Sequence, residues 1–117
     1  SFYDSAGDDT FIGLSAYSIM LGSGYFNESI GFGNTYAFDS ANGNDNAQLY
    51  DSVGADYYYG LNAYSIMSYP GVMVETVGFV NNYAFSYFGG ADTAGLYDSP
   101  SNDTYYGPRR HWSRRCR

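Results

Sequence analysis

A 47-residue period runs through this chain and limits what it can fold into. Tyr3-Asp4-Ser5 returns as Tyr50-Asp51-Ser52 and again as Tyr97-Asp98-Ser99, with no insertion in either step. Ala16-Tyr17-Ser18-Ile19-Met20 returns as Ala63-Tyr64-Ser65-Ile66-Met67, and Tyr36-Ala37-Phe38 as Tyr83-Ala84-Phe85. Of the 47 aligned pairs 24 are identical, far beyond chance. The third copy stops matching after Gly107, the counterpart of Gly13 and Gly60. The chain therefore divides into a first repeat (3–49), a second (50–96), a partial third (97–107) and a tail (108–117). Repeats this short bury their apolar face by packing on the next copy, so the period predicts a stack rather than two independent domains.

The residues inside the period predict strands. Fifteen tyrosines and eight phenylalanines exclude ordinary disorder, and aromatic side chains suit a pleated, half-buried surface. Val72-Met73-Val74-Glu75-Thr76-Val77 is too rich in β-branched residues for a good isolated helix. The segment 34–40 is echoed by 45–52, and a further echo starts at Asp56, at steps of eleven residues. That spacing suggests four segments per repeat, each a short strand and a turn of about 11–12 residues, although residues 56–81 do not carry the echo clearly. The turns are marked by Gly7-Asp8-Asp9, Gly43-Asn44-Asp45, Gly54-Ala55-Asp56 and Gly90-Ala91-Asp92, with Ser101-Asn102-Asp103 as a degenerate fifth. Glycine permits tight backbone geometry, and an aspartate can hold a turn by bonding nearby N–H groups. The expected fold is all-β, a repetitive β-solenoid or β-roll-like stack.

These Gly-x-Asp turns resemble a reduced form of the calcium-binding β-roll repeats of secreted bacterial proteins. Leu49-Tyr50-Asp51-Ser52 and the run from Asp4 to Phe11 are similar to tandem repeats of very large bacterial surface or secreted proteins. The resemblance covers residues 1–107 and implies an extracellular or cell-surface setting and a structural role. Calcium takes six to eight oxygen ligands, which successive turns could supply, and Asp9, Asp45, Asp56, Asp92 and Asp103 are the candidates. Against this stands the Asx-type turn without metal. The full Gly-Gly-x-Gly-x-Asp pattern is absent, and Asp8 becomes Ala55 in the second copy.

Charge narrows the partners. Residues 1–108 hold twelve acids and no base, a balance that disfavours nucleic acid and anionic lipid. All five arginines, with the only His, Trp and Cys (His111, Trp112, Cys116), fall in the last nine positions. This tail reads as a loose terminus, or as a contact for the acidic body of a neighbouring copy. One cysteine makes no internal disulfide, and no apolar run is long enough for a membrane span. The chain shows no signal peptide and reads as an excised or processed segment.

Catalysis is not expected. A Ser or Cys nucleophile needs a base, and the only His lies in the tail. Asp8 and Asp9 are adjacent and suit a turn better than an acid–base pair, and Glu28 and Glu75 recur once per repeat as architecture would. Exposed tyrosines leave a surface-glycan-binding module as an alternative. Asn27-Glu28-Ser29 and Asn102-Asp103-Thr104 match the N-glycosylation pattern, but neither asparagine recurs at its repeat counterpart. The strands carry apolar residues on both parities, as in 10–21 and 72–80, which predicts cover on both faces. With neither end capped, the expected partner is the chain itself, assembled into a filament.

Overall fold

The computed structural model describes residues 1–61, 64–96 and 102–106, with backbone alone for 96 and 102–106; these residues form strands and no helix. The strands are β1 (Phe2–Tyr3), β2 (Thr10–Gly13), β3 (Tyr17–Gly22), β4 (Tyr25–Ile30), β5 (Asn34–Phe38) and β6 (Asn46–Tyr50). They continue as β7 (Tyr57–Gly60), β8 (Tyr64–Tyr69), β9 (Val72–Val77), β10 (Asn81–Phe85), β11 (Thr93–Leu96) and β12 (Asn102–Tyr106). Two mixed sheets result, one ordered β1-β5-β9-β8-β7-β11 and the other β12-β10-β6-β2-β3-β4.

Local chemistry explains the antiparallel part. Gly22 pairs with Tyr25 across Ser23-Gly24, and Tyr69 pairs with Val72 across Pro70-Gly71. Gly24 and Gly71 sit at φ 83° and 79°, the conformation a two-residue turn asks of its second residue and that glycine adopts without strain. These turns close β3–β4 and β8–β9 and fold each half into a three-strand meander, β2-β3-β4 in one sheet and β7-β8-β9 in the other. Strands one period apart therefore lie in opposite sheets.

The other pairings are parallel. Thr10 lies opposite Asn46 and Tyr57 opposite Thr93, both 36 residues apart. The eleven-residue echo corresponds to β5, β6 and β7, which alternate between the sheets. It fails over 56–81 because that stretch forms the second meander. Four equal segments per repeat is thus corrected to five strands, β2 to β6, with unequal connections. The partial third copy also departs from the pattern: β12 aligns in sequence with β2 and β7, yet it joins β10 in parallel where β5 is joined by β9.

The sheets meet at one apolar core. Phe2 of β1 packs on Phe11 of β2 with ring centroids 5.6 Å apart, and Phe11 approaches Phe79 at 6.3 Å. Met20, Leu49, Tyr58, Met67 and Val74 complete the centre, all buried. Burial alternates along β2, β3 and β8, so within the chain one face of these strands is covered, while β4 has no buried residue. Tyrosines and isoleucines on the outer face remain half-exposed and pair across strands. Tyr3 stacks on Phe38 at 5.2 Å, and their counterparts Tyr50 and Phe85 stack at 4.7 Å.

Candidate functional site

The Gly-x-Asp turns stack on one another, and that stacking builds two carboxylate clusters. A Cβ on Gly43 would lie 1.9 Å from the carbonyl oxygen of Gly7, and one on Gly90 would lie 2.0 Å from that of Gly54. Only glycine admits this approach. It brings the N–H of Asp9 to 2.7 Å from Asp45 Oδ1 and the N–H of Asp56 to 3.1 Å from Asp92 Oδ1. The aspartates that close successive turns are thus held side by side.

A third carboxylate joins each pair from the Tyr-Asp-Ser segment. Asp4 Oδ1 accepts the N–H groups of Ser40 (2.7 Å) and Ala41 (3.1 Å), and Asp51 Oδ1 accepts those of Tyr87 (2.8 Å) and Phe88 (3.0 Å). Ser5 and Ser52 donate backbone N–H and hydroxyl to Asp9 and Asp56. In Asp4–Asp9–Asp45, as in Asp51–Asp56–Asp92, one oxygen from each residue lies within 4.8 Å of the other two. The two sets are 47 residues apart, member by member.

The clusters differ at one position. Ser86 Oγ–H lies 2.7 Å from Asp92 Oδ2 and 3.3 Å from Asp51 Oδ2, so every carboxylate oxygen of the second cluster has a donor within reach. A cavity of about 10 Å³, room for one water, opens among Asp51, Asp56, Ser86 and Asp92. In the first cluster the counterpart of Ser86 is Asp39, which approaches both Asp4 and Asp45. Burial, then the charges of Asp45 and Asp4, push the Asp39 carboxyl up to about 7. Burial likewise raises Asp45, Asp51 and Asp56. Burial also pulls Asp4 upward, but hydrogen bonds from Ser40 and Ala41 outweigh it and hold that carboxyl below its ordinary value.

A tyrosine guards each cluster from a different strand position. Tyr25 lies beside Asp9, and burial followed by that carboxylate pushes its phenol up to about 12. Its counterpart is Val72. In the second repeat the tyrosine is Tyr69, whose hydroxyl donates to the carbonyl of Tyr50 and whose phenol is raised by burial and by Asp56 and Asp51. The counterpart of Tyr69 is Gly22, over which Asp9 Oδ1 lies so closely that an added Cβ would sit 1.7 Å away.

Of the five aspartates expected from the sequence, the fold brings Asp9 to Asp45 and Asp56 to Asp92, and leaves Asp103 in β12, where the backbone alone is described. Asp4, Asp51 and Asp39 complete the clusters and were missed. Tyr-Asp-Ser reads as a repeat signature, and only the turn 36 residues away shows what its aspartate holds. Asp8 is exposed and receives the N–H of Asn44, which explains why alanine serves at position 55. The arginine tail, His111 and Cys116 lie outside the described residues. Among the described residues no helix is long and apolar enough to cross a membrane. No family model matches this chain, and searches of curated proteins and of solved structures found no match.

Proposed function

We propose that this chain is a structural β-repeat module of an extracellular or cell-surface assembly, in which copies stack through their sheet edges into a fibre. One comparison carries the reading. Phe32 and Phe79 occupy the same position of the repeat, yet Phe79 is 2% exposed and Phe32 is 65% exposed. Phe79 follows β9, which has β5 as its outer parallel neighbour. Phe32 follows β4, the edge of its sheet, where Phe26 and Ile30 are also exposed. An open groove of about 550 Å³ lies at this end, lined by Phe2, Tyr3, Asn27, Ser29, Phe32 and Thr35 among others.

Unpaired strand edges with apolar side chains recruit further strands. A further repeat of the same kind would do for β4 and Phe32 what β5 does for β9 and Phe79. For the 117-residue chain by itself, a second copy supplies that repeat. The end formed by β1 and β4 would meet the end formed by β11 and β12. These are unlike surfaces, so the contact runs head to tail and propagates as a filament unless its rotation closes a ring. The stack is read as a solenoid in which each repeat makes half a turn, because successive meanders change sheets. Each copy contributes twelve strands, six to each sheet, which for copies docked intact gives an axial period of about 29 Å at roughly 4.8 Å per strand.

Sedimentation velocity over a concentration series, with electron microscopy of the same samples, tests this. Filaments are expected, and a double substitution of exposed residues, Phe32→Lys with Ile30→Lys, should leave a folded monomer. A wild-type chain that stays monomeric at every concentration overturns the reading.

A further inference from the structure

We infer that copies of this chain join by exchanging strands: β11 of one copy takes the place of β1 in the next, and β4 of that next copy takes the place of β12 in the first. The inference rests on the filament reading above and names the segments that meet. It starts from the open groove of about 550 Å³. β1, β6 and β11 are one strand of the repeat, since Phe2-Tyr3 aligns with Leu49-Tyr50 and residues 46–49 align with 93–96. β6 gives β10 five partners, from Asn46 opposite Asn81 to Tyr50 opposite Phe85. β1 gives β5, the counterpart of β10, only two, Phe2 opposite Ala37 and Tyr3 opposite Phe38. Among the described residues Asn34, Thr35 and Tyr36 have no strand partner on that side, and Asn34 and Thr35 line the groove. The groove is the part of this strand's path that β1 leaves unfilled.

β11 has the matching vacancy. β6 lies between β2 and β10, whereas β11 has β7, the counterpart of β2, on one side and no described strand on the other. Such an edge presents unpaired N–H and C=O groups to another chain. Set against β5 of a second copy in the register of β6 on β10, Thr93 comes opposite Asn34 and Leu96 opposite Ala37. Four partners replace two. Leu96 falls at the position of Phe2, so β1 must leave.

The other sheet makes the reciprocal offer. β9 pairs with β5 from Met73 opposite Asn34 to Val77 opposite Phe38. Shifted by the repeat, that pairing sets Phe26 and Ile30 of β4 opposite Asn81 and Phe85 of a second copy. Within one chain this edge of β10 is held by β12, with Asn102 opposite Asn81 and Tyr106 opposite Phe85. Yet β12 aligns with β2 and β7, whose neighbours are β3 with β6 and β8 with β11. Neither of them pairs with β5 or β10. β12 therefore covers an edge that the repeat assigns to β4, and it closes the free chain against addition.

Electron microscopy of wild-type filaments reads the exchange directly. Intact copies repeat at about 29 Å, whereas loss of one strand from each sheet at every junction leaves five and shortens the period to about 24 Å. Asp103→Pro with Thr104→Pro in the full chain gives a second reading. Successive N–H groups of a strand point to opposite sides, so one of the two prolines removes a donor facing β10. With its cover loosened, β10 should accept β4 at a concentration about tenfold lower by light scattering, and circular dichroism should keep its strand signature. A 24 Å period with a lowered onset supports the exchange. A 29 Å period, or an onset unchanged or raised, overturns it and leaves the filament reading standing. A proline variant that assembles where the wild type stays monomeric supports the exchange and overturns the filament reading of the wild type alone. If neither chain assembles, both fall.

Discussion

Ser86 donates its hydroxyl to Asp92 Oδ2 at 2.7 Å, whereas Asp45, the counterpart of Asp92 one repeat earlier, depends for its donor on the protonated carboxyl of Asp39. The residue standing in place of Ser86 is Asp39. A buried acceptor left without a partner costs about 1–3 kcal/mol, so the chain carries an avoidable penalty at the first cluster once Asp39 has lost its proton. At pH 8 Asp39→Ser should stabilise the chain by roughly 1–2 kcal/mol, read as a higher urea midpoint at unchanged slope. The reverse exchange, Ser86→Asp, should lower the midpoint by a similar amount. If Asp39→Ser destabilises the chain at pH 8, the donor to Asp45 has been given the wrong importance.

Acidity supplies a second check on the same residue. The Asp39 carboxyl is raised to about 7 by burial and by Asp45 and Asp4, against an ordinary value of 3.8. A raised carboxyl holds a proton in the folded chain that the unfolded chain has already released. That contribution to stability is complete below about pH 4 and is lost as the pH rises through about 7. Asp45, Asp51 and Asp56 shift in the same direction, whereas Asp4 shifts oppositely and acts at lower pH. The chain should therefore be more stable at pH 5 than at pH 8, with a flatter profile for Asp39→Ser. Equal urea midpoints at the two values would contradict the coupling.

The turn glycines are tested by size alone. Gly43 has no left-handed backbone, so its requirement is space, with the carbonyl of Gly7 in the way of any Cβ. Gly43→Ala must separate the stacked turns, and with them the hydrogen bond from Asp9 to Asp45. A loss of about 3 kcal/mol or more is expected, at the upper end of what overpacking costs. Circular dichroism should keep its strand signature while the melting temperature falls. An unchanged melting temperature would show that the turns have slack.

Much of the strand content was legible because it rests on local chemistry. Val72–Val77 is a strand and the four Gly-x-Asp marks fall between strands, whereas the degenerate fifth does not, since Asn102 and Asp103 belong to β12. The exchange of sheets between repeats was not legible. It follows from partners 36 residues apart, such as Thr10 and Asn46, whose pairing leaves no trace within either segment. The cluster was half legible for the same reason. Asp9 and Asp45 announce themselves by following glycine, but Asp4 is held by backbone N–H groups at Ser40 and Ala41, and no local pattern says which turn will arrive there. The retained Asp4 and Asp51, set beside the unretained Asp8, were the available signal.

The two phenylalanines that separate a covered end from an open one give the last prediction. Phe79 is buried between the sheets near Phe11, so Phe79→Ala removes a packed ring and should cost about 3–5 kcal/mol in any state of assembly. Phe32 stands in the open groove, and in a single copy Phe32→Ala should change stability by no more than about 0.5 kcal/mol. Burial of Phe32 on association reverses that indifference. At concentrations where the wild type forms filaments, Phe32→Ala should raise the concentration needed to begin assembly at least tenfold, since the ring is worth more than about 1.4 kcal/mol at a buried contact. Light scattering against concentration measures the effect on assembly, and urea denaturation in dilute solution measures the effect on stability. A Phe32→Ala chain that assembles like the wild type would remove this groove from the contact, even if filaments form. A large loss of stability in dilute solution would mean instead that Phe32 already has a partner within its own chain.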